Sequence, residues 1–374
     1  MFIQLPNCCR LAAKVFEGIN LFTNESTLSD IVKCRCEDQV NPTITAVAGL
    51  EAGHYTDLTH GTGCTVFICR QGAVGGVDVR GGSPGTRETD LLRPVHRVDK
   101  VHGLLLTGGS AFGLDAAGGV LEYLSGEGIG FTVGTTVVPI VPAAVLFDLG
   151  FLASDVRPTF ADGRAASLAA KSVPMDVGTV GAGTGATVAK IKGIGYAVKS
   201  GIGSASMRLS DGTTIAAAVA VNAYGGVYDY KSGLLIAGPR WSDSRGFDDP
   251  VDLVLGQGGL NGDSGPLANT TIGVVATDAV LDKEGANYLA SVSHDGLALT
   301  IRPCHTVRDG DTMFALATGT ISEHDSEPVD LTRLGAAAVE VTARAVLNAI
   351  FRSTGLGGLP AISEIDHEPS PKTP

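Results

Sequence analysis

The sequence predicts a mixed fold in which buried strands and amphipathic helices surround one large core. Apolar runs rich in β-branched residues, such as residues 272–276, are typical of buried strands. Residues 331–352 place their apolar side chains at helical spacing and predict a long amphipathic helix. With 374 residues, of which 44% are hydrophobic, the chain can bury a substantial core.

The first half of the chain predicts strands separated by turns and followed by two helices. In order, these are a strand beginning at residues 43–47, strands at 64–69, 73–79 and 103–107, a helix with Ser110 as its N-cap, and a helix at 162–170. Residues 80–92 form a polar Gly/Pro loop with several charges. Such a composition is as consistent with a functional loop as with a surface turn.

The second half begins with two Gly-rich loops, at residues 179–190 and 199–203. A polar stretch at residues 230–263 shows no periodic pattern, and a long loop of this kind suits a segment that must be released. The elements predicted around it are a buried strand at 215–222, a strand at 270–277, a helix at 282–299 capped by Asp282, a strand at 313–317 and the helix at 331–352.

Charge and cysteine content argue against several functional classes. The net charge is −12 with no basic run, which argues against binding to nucleic acid or to an anionic membrane surface. The seven cysteines lack the spacing of a zinc or thioredoxin site and predict free thiols in a reducing cytoplasm. Two prolines and Asp148 interrupt the apolar stretch at 131–152, and the N-terminus lacks a long apolar region. We therefore expect a cytoplasmic protein with no membrane span.

The ends of the chain differ in composition from the middle. Residues 1–42 are Cys-rich and weakly periodic, and they predict an extension outside the core. Residues 43–362 predict a single domain. Residues 363–374 are polar and Pro-rich and predict a disordered tail.

The junction between Asn269 and Thr270 is a candidate self-cleavage bond. A polar loop ends at Asn269, and Thr270 begins an apolar strand that would hold its hydroxyl rigidly. The hydroxyl would attack the Asn269 carbonyl, the acyl group would shift from nitrogen to oxygen, and water would release a new N-terminus. The free α-amine, with a reference pKa of about 7.7–8.0, can then act as base for the hydroxyl. An ordinary loop-to-strand junction is the alternative that the dipeptide alone favours.

Three other motifs carry weaker signals. Residues 181–185 are similar to a dinucleotide-binding loop, but they lack a good preceding strand and an acid about 20 residues later. His294 and His305 have no acid at metal-ligand spacing, so we expect a hydrogen-bonding or structural role for each and predict no metal or cofactor. Asp309 and Asp311 lie close together on a turn and would repel each other unless a cation, such as a free α-amine, sits between them.

Seven segments together resemble one family of self-processing aminopeptidases. It includes L-aminopeptidase/D-amidase-esterases, β-peptidyl aminopeptidases and nylon-oligomer (6-aminohexanoate-oligomer) endo-hydrolases. In family order, the segments are RGGSPGTRETDLL (80–92), LTGGSAFGL (106–114), VPIVPAAVLFD (138–148), GTVGAGTGA (178–186), KSGIG (199–203), NTTIG (269–273) and DGDT (309–312). The resemblance extends over most of the chain.

The resemblance implies an α+β fold, a four-layer αββα sandwich similar to that of N-terminal-nucleophile hydrolases, with its own strand connectivity. It also implies a precursor that is cleaved between Asn269 and Thr270. The resulting α chain, ending at Asn269, and β chain, beginning at Thr270, would stay associated as one catalytic domain and assemble as a homo-oligomer, a tetramer of αβ units.

The resemblance also implies roles for individual residues. Thr270 matches the nucleophile, and Asn222, at the end of its strand, matches the residue that supports the oxyanion. Lys190 matches a lysine with a catalytic role in the nylon-oligomer enzymes. Asp309 and Asp311 match the acidic pair near the nucleophile.

Two further positions match supporting residues, and the chain departs from the aminopeptidase members at two places. Lys199 matches a second recurrent lysine. Phe147 stands where those members have a tyrosine on the oxyanion or substrate side, and Thr270 stands where they have a serine.

The sequence therefore predicts a cofactor-free amide hydrolase that acts on small peptides, amino-acid amides or short amide oligomers through an acyl-enzyme. Three alternatives remain open at this point. An acyltransferase would pass the acyl group to an amine, as the related ornithine-acetyltransferase architecture does with the same type of Thr. A non-catalytic assembly protein would leave Asn269–Thr270 intact. A dinucleotide-dependent enzyme would use residues 181–185.

Overall fold

The structure is a computed structural model that describes residues 42–243, 245–256, 269–321 and 329–365. These residues belong to the unit Asn41–Pro374, and a second unit, Met1–Val40, lies outside them. The predicted N-terminal extension and C-terminal tail therefore lie outside the described residues, apart from residue 42 and residues 363–365.

The strands and helices follow the chain in this order. The strands are β1 (Glu51–Asp57), β2 (Thr62–Val79), β3 (Thr86–Arg87), β4 (Lys100–Thr107), β5 (Phe131–Val133), β6 (Thr136–Val138), β7 (Ala143–Val145), β8 (Thr187–Val188), β9 (Val198–Lys199), β10 (Ile202–Arg208), β11 (Thr214–Asn222), β12 (Gly226–Tyr228), β13 (Leu235–Ala237), β14 (Thr270–Thr277), β15 (Ile301–Arg302) and β16 (Thr312–Ala317). The α-helices are α1 (Ala116–Gly126), α2 (Phe160–Leu168), α3 (Pro250–Val254), α4 (Lys283–Thr300) and α5 (Leu331–Phe351).

The main sheet has the strand order β10-β11-β14-β16-β2-β4-β7-β3, and β1 pairs with the first part of β2. β14 lies between β11, which runs antiparallel to it, and β16, which runs parallel. Every residue of β14 is buried, as its unbroken run of apolar and hydroxyl side chains predicts. This central position fixes the backbone of β14 from both sides.

Helices cover the two halves of the sheet. Helices α1 and α2 pack on β1, β2 and β4, whereas α4 and α5 pack on β2, β10, β11 and β16. Between the two helical layers, strands of both halves contribute to one core, with Phe67 and Leu104 from one half and Ala218 and Val274 from the other. The chain therefore has an α+β fold with the layer order αββα.

Small residues let the helices approach the sheet closely. Gly203 in β10 faces α5, and a Cβ atom at this position would lie 2.0 Å from the carbonyl oxygen of Ala345. Only glycine is compatible with this distance, so the α5 layer depends on it.

Helix α5 is the element of the described residues that has the length and apolar composition of a membrane span. Its apolar window is 67% buried inside the protein, which is typical of a core helix. Its bounds confirm the predicted amphipathic helix at residues 331–352.

The predicted strand at residues 43–47 is wrong, because this segment forms a 3₁₀ turn at Ile44–Ala46. The Thr45 hydroxyl donates to the carbonyl oxygen of Val173 at 2.8 Å, and the Ile44 N–H donates to Ser204 Oγ, also at 2.8 Å. Hydrogen bonds to residues far away in the sequence thus take the place of the strand pairing that β-branched residues favour.

Two other predictions need correction. The predicted strands at 64–69 and 73–79 are parts of the single strand β2, whose pairing with β4 shifts register between Ile68 and Ala73. Ser110 is not the N-cap of α1, because it begins a 3₁₀ turn and the helix starts only at Ala116.

Candidate active site

Thr270 is the first residue of β14, and only 5% of its surface is exposed. Its hydroxyl donates to the carbonyl oxygen of Asn269. The Gly310 N–H donates to the same oxygen at 3.0 Å. The carbonyl before Thr270 therefore has two donors, and one of them is the hydroxyl predicted to attack it.

Asn222 lies opposite Thr270 in the antiparallel pair of β11 and β14. Lys190 Nζ donates to the Asn222 side-chain oxygen at 2.7 Å and to its backbone oxygen at 3.0 Å. The Thr187 N–H also donates to the side-chain oxygen, at 3.1 Å. Two donors at the oxygen fix the orientation of the amide and direct its NH₂ group away from Lys190.

That NH₂ group donates to the backbone carbonyl of Phe147 at 2.8 Å. Phe147 therefore contributes a main-chain acceptor to the site, although its ring offers no hydroxyl. An amide nitrogen carries two protons, so Asn222 keeps one donor beyond the bond to Phe147.

Asp311 joins the strand of Thr270 to the turn before β16. One carboxylate oxygen accepts from the Thr271 N–H at 2.7 Å. The other accepts from the backbone N–H of His305 at 2.9 Å and contacts His305 Nδ1 at 2.7 Å. The sequence predicts a hydrogen-bonding or structural role for His305, but no spacing rule identifies an acid six residues later as its partner.

Asp309 is buried beside Asp311 on the same turn. It accepts from the Tyr224 N–H at 3.3 Å and from the N–H and hydroxyl of Thr306 at 3.1 and 2.5 Å. Burial raises the pKa of Asp309 to about 6, and the charge of Asp311 acts in the same direction. Asp309 can therefore change protonation state close to neutral pH.

Lys190 is 3% exposed, and its burial lowers the pKa of its ammonium group to about 7. The charges of Asp309 and Asp148 oppose this shift. The lysine can thus lose its charge near neutral pH while it still donates hydrogen bonds to Asn222.

Asp148 is an acid of this site to which the sequence analysis assigned no role. Its oxygens accept from the Gly109 N–H and from the Thr62 hydroxyl, both at 2.7 Å. Burial raises the pKa of Asp148 to about 6. In the sequence it is the last residue of the family segment at 138–148, but the resemblance assigned no role to it.

Lys199 lies in the Gly-rich region and binds backbone carbonyls. Its Nζ donates to Gly183 O at 3.1 Å, to Ala186 O at 2.9 Å and to Ser200 O. Burial lowers the pKa of Lys199 to about 7. These contacts hold the loop that leads to Thr187, whose N–H donates to Asn222. Lys199 therefore acts on Asn222 indirectly, by fixing this loop.

The loop predicted as an alternative dinucleotide site has other partners. The N–H groups of Gly181 and Ala182 donate to the hydroxyls of Thr56 and Thr65 at 2.9 and 3.0 Å. The two-residue strand β8, rather than an α-helix, follows the loop, so the helix N-terminus that binds a pyrophosphate is missing there. In the described ranges, no group of three His, Cys, Asp or Glu residues is arranged to hold a metal ion.

Comparison with known proteins identifies the family of the chain. The model of the family described as peptidase family S58 matches residues 42–361. An uncharacterised aminopeptidase of Mycobacterium bovis is 41% identical over 346 residues, which cover 86% of this chain and 97% of the relative. A 6-aminohexanoate-oligomer endohydrolase of Agromyces sp. is 31% identical over 316 residues, covering 80% of this chain and 82% of the relative.

A solved structure has the same fold. It is the L-aminopeptidase D-Ala-esterase/amidase of Ochrobactrum anthropi, described as a variant of the Ntn-hydrolase fold. It superposes with a TM-score of 0.62 and 22% identity over 86% of this chain and 89% of that one. The chain therefore belongs to peptidase family S58 and is a hydrolase of peptide or amide bonds with an Ntn-hydrolase type of fold.

Proposed function

We propose that the chain cleaves its own Asn269–Thr270 bond and that Thr270, as the new N-terminus, hydrolyses amide bonds through an acyl-enzyme. The observation that carries this proposal is the contact between the Thr270 hydroxyl and the Asn269 carbonyl oxygen, which also accepts the Gly310 N–H. A nucleophile at its target carbonyl and a donor aimed at the same oxygen are the two parts that acyl transfer requires.

Self-cleavage would begin when Thr270 Oγ attacks the carbonyl carbon of Asn269. The negative charge that develops on the carbonyl oxygen would be stabilised by the Gly310 N–H, 3.0 Å away in the uncleaved chain. The C–N bond then breaks, the Thr270 nitrogen takes up the hydroxyl proton, and an ester remains. Water hydrolyses the ester to the Asn269 carboxylate and a free Thr270 hydroxyl and amine.

Hydrolysis of a substrate would use the same atoms in a second cycle. The free amine of Thr270 accepts the hydroxyl proton, directly or through water, and the oxygen attacks the substrate carbonyl. The amide proton of Asn222 that is not bonded to Phe147 is available to the oxyanion. Lys190 supports this role because it fixes the orientation of the Asn222 amide. The substrate C–N bond breaks, and the leaving amine takes up the proton held by the Thr270 amine. Water then hydrolyses the remaining ester and releases the acyl group as a carboxylate.

The relatives suggest the substrate class. One bears the name of an aminopeptidase and another that of a 6-aminohexanoate-oligomer endohydrolase. We propose small peptides, amino-acid amides or short amide oligomers as substrates. Asp309 and Asp311, both buried beside Thr270, are suited to hold either the ammonium form of Thr270 or a substrate amine.

The test is product analysis with p-nitroanilides of L-, D- and β-amino acids and with short amide oligomers. The wild-type protein should release p-nitroaniline or shorter oligomers, and Thr270→Ala should release neither. Thr271→Val is the matched control, because it removes the hydroxyl of the next residue and should remain active. Equal activity of Thr270→Ala and wild type would refute the proposal. Transfer of the acyl group to an added amine, in preference to water, would identify an acyltransferase instead.

A further inference from the structure

His305 binds Asp311 through two of its atoms. Its backbone N–H and its Nδ1 both contact the same carboxylate oxygen, at 2.9 and 2.7 Å, while Thr271 N–H occupies the other oxygen at 2.7 Å. His305 has a φ of 54°, a left-handed backbone conformation that side chains other than glycine rarely adopt. A strained residue that makes two contacts to one buried carboxylate indicates a functional constraint.

The ring of His305 is surrounded by few other ionisable groups. His294 of α4 packs against it edge to face, with ring centroids 4.7 Å apart, and Cys304 is its chain neighbour. Asp78 and Arg80, at the end of β2 and just after it, act on His294. His305 also contacts Asp311, whose charge acts on Asp309.

His294 does not carry the positive charge of this pair of histidine rings. Its Nε2 lies 3.0 Å from the Asp78 backbone oxygen, which only accepts, so Nε2 carries the proton. Burial lowers the pKa of His294 to about 4, and the charge of His305 adds to this. His294 is therefore neutral near pH 7.

The pKa of His305 is shifted in the opposite direction. Burial, the largest single influence, would lower its pKa, but the hydrogen bonds and charges of Asp311 and Cys304 together raise the pKa of His305 to about 10. At neutral pH His305 is therefore an imidazolium, hydrogen-bonded to the Asp311 side chain. The pair lies one residue from Thr270, because the Asp311 carboxylate holds the Thr271 N–H.

A cation at this point has a consequence once Thr270 carries a free amine. Two buried carboxylates, Asp309 and Asp311, would favour the ammonium form of that amine and so hold its proton to a higher pH. An ammonium group cannot accept the proton of the Thr270 hydroxyl. A positive charge on the far side of Asp311 reduces this effect.

We propose that the His305 imidazolium, acting through Asp311, offsets one of the two carboxylate charges beside Thr270 and so lets the α-amine give up its proton near neutral pH. His305 is thus a positioning residue for the hydrolytic cycle. This inference rests on the proposed function, and it assigns His305 a role only after self-cleavage, because the uncleaved chain has no amine at Thr270.

His305→Asn separates the charge from the hydrogen bond. Asparagine tolerates positive φ and can donate to Asp311 from its side-chain amide, but it carries no charge. The variant should cleave itself fully. The acidic limb of its pH profile for kcat/KM should move up by about one to two pH units, a loss of about ten- to hundredfold on that limb, as expected when one partly screened charge is removed. The rate at high pH should approach the wild-type rate.

His294→Gln is the matched control, since it keeps a donor for the Asp78 carbonyl and removes a ring that is already neutral. Its acidic limb should stay where the wild-type limb lies. The inference is overturned if His305→Asn lowers the rate equally at every pH, leaves the limb unmoved, or fails to cleave itself. A wild-type β chain that does not begin at Thr270 would instead overturn the proposed function, and N-terminal sequencing of the same samples separates the two results.

Discussion

Asn222 faces Thr270 across the antiparallel pair of β11 and β14, and Lys190 fixes the side-chain oxygen of Asn222 at 2.7 Å. Two neighbouring strands therefore place the proposed nucleophile and the proposed oxyanion donor side by side. The ladder sets their spacing, while the buried lysine sets which way the amide points. Each of these relationships can be tested separately.

Asn222→Asp should reduce kcat by about 10²–10³-fold, because a carboxylate cannot donate to the oxyanion. The fold should persist, since the introduced carboxylate can pair with Lys190 in place of the amide. Steady-state kinetics on a p-nitroanilide substrate checks this, with KM expected to change much less than kcat. A kcat close to that of wild type would remove Asn222 from the mechanism.

Lys190→Met should slow both self-cleavage and hydrolysis by about tenfold or more, because the Asn222 amide loses the donor that fixes its orientation. Lys192→Met is the matched control: it lies in the same 3₁₀ turn, and its ammonium binds Asp248 instead. Time courses of chain cleavage and of amide hydrolysis test both variants. Equal losses in the two variants would show that any lysine of this turn matters only for stability.

Gly310→Ala should slow self-cleavage strongly. A Cβ atom at Gly310 would lie 2.7 Å from the Ser83 carbonyl oxygen and 2.9 Å from Thr270 Oγ1, so the turn must shift and move its N–H away from Asn269. Gly195→Ala is a suitable control, because a Cβ there meets no atom within 4 Å. The fraction of cleaved chain after a fixed time is the readout, and rapid cleavage of Gly310→Ala would contradict the role of this N–H.

Asp148→Asn should change how stability depends on pH. The folded-state pKa of Asp148, about 6, lies above its ordinary value of 3.8. The folded protein therefore binds this proton more tightly than the unfolded chain, and the Asp148 contribution to stability falls as pH rises from about 4 to about 6. Asparagine keeps the contacts to Gly109 and Thr62 without a charge. Relative to wild type, the variant should gain about 1–3 kcal/mol between pH 4 and pH 7.

Urea unfolding at several pH values measures this difference. Parallel pH profiles for the two proteins would show that Asp148 is ionised in the folded state at no cost. A loss of stability that appears only above about pH 6, where Asp148 is ionised, would show instead that the charge itself is needed.

Sequence patterns were sufficient where local periodicity determines the element. The apolar run after Thr270 predicts β14, and the helical spacing after residue 331 predicts α5, because both elements are set by which side chains they bury. The 3₁₀ turn at Ile44–Ala46 was missed, since long-range hydrogen bonds to Val173 and Ser204 decide it.

Long-range contacts also limit what the sequence predicts about the candidate active site. Thr270, Asn222, Lys190, Asp309 and Asp311 came from the motifs and the family resemblance. Their contacts, and the roles of His305 and Asp148, depend on chain segments far apart in sequence.

Asp148 reaches Thr62 across 86 positions, and no spacing in the sequence indicates that contact. His305 meets Asp311 only because a left-handed backbone turns its N–H and its ring toward the same oxygen. Pairings of this kind follow from the folded chain rather than from the pattern of residue types.

The central claim is that Thr270 becomes an N-terminal residue, and N-terminal sequencing with intact-mass measurement of active protein tests it most directly. Self-cleavage predicts two chains, one of which begins at Thr270, whereas Thr270→Ala should remain one inactive chain. Active protein that consists only of the uncleaved chain would contradict the claim.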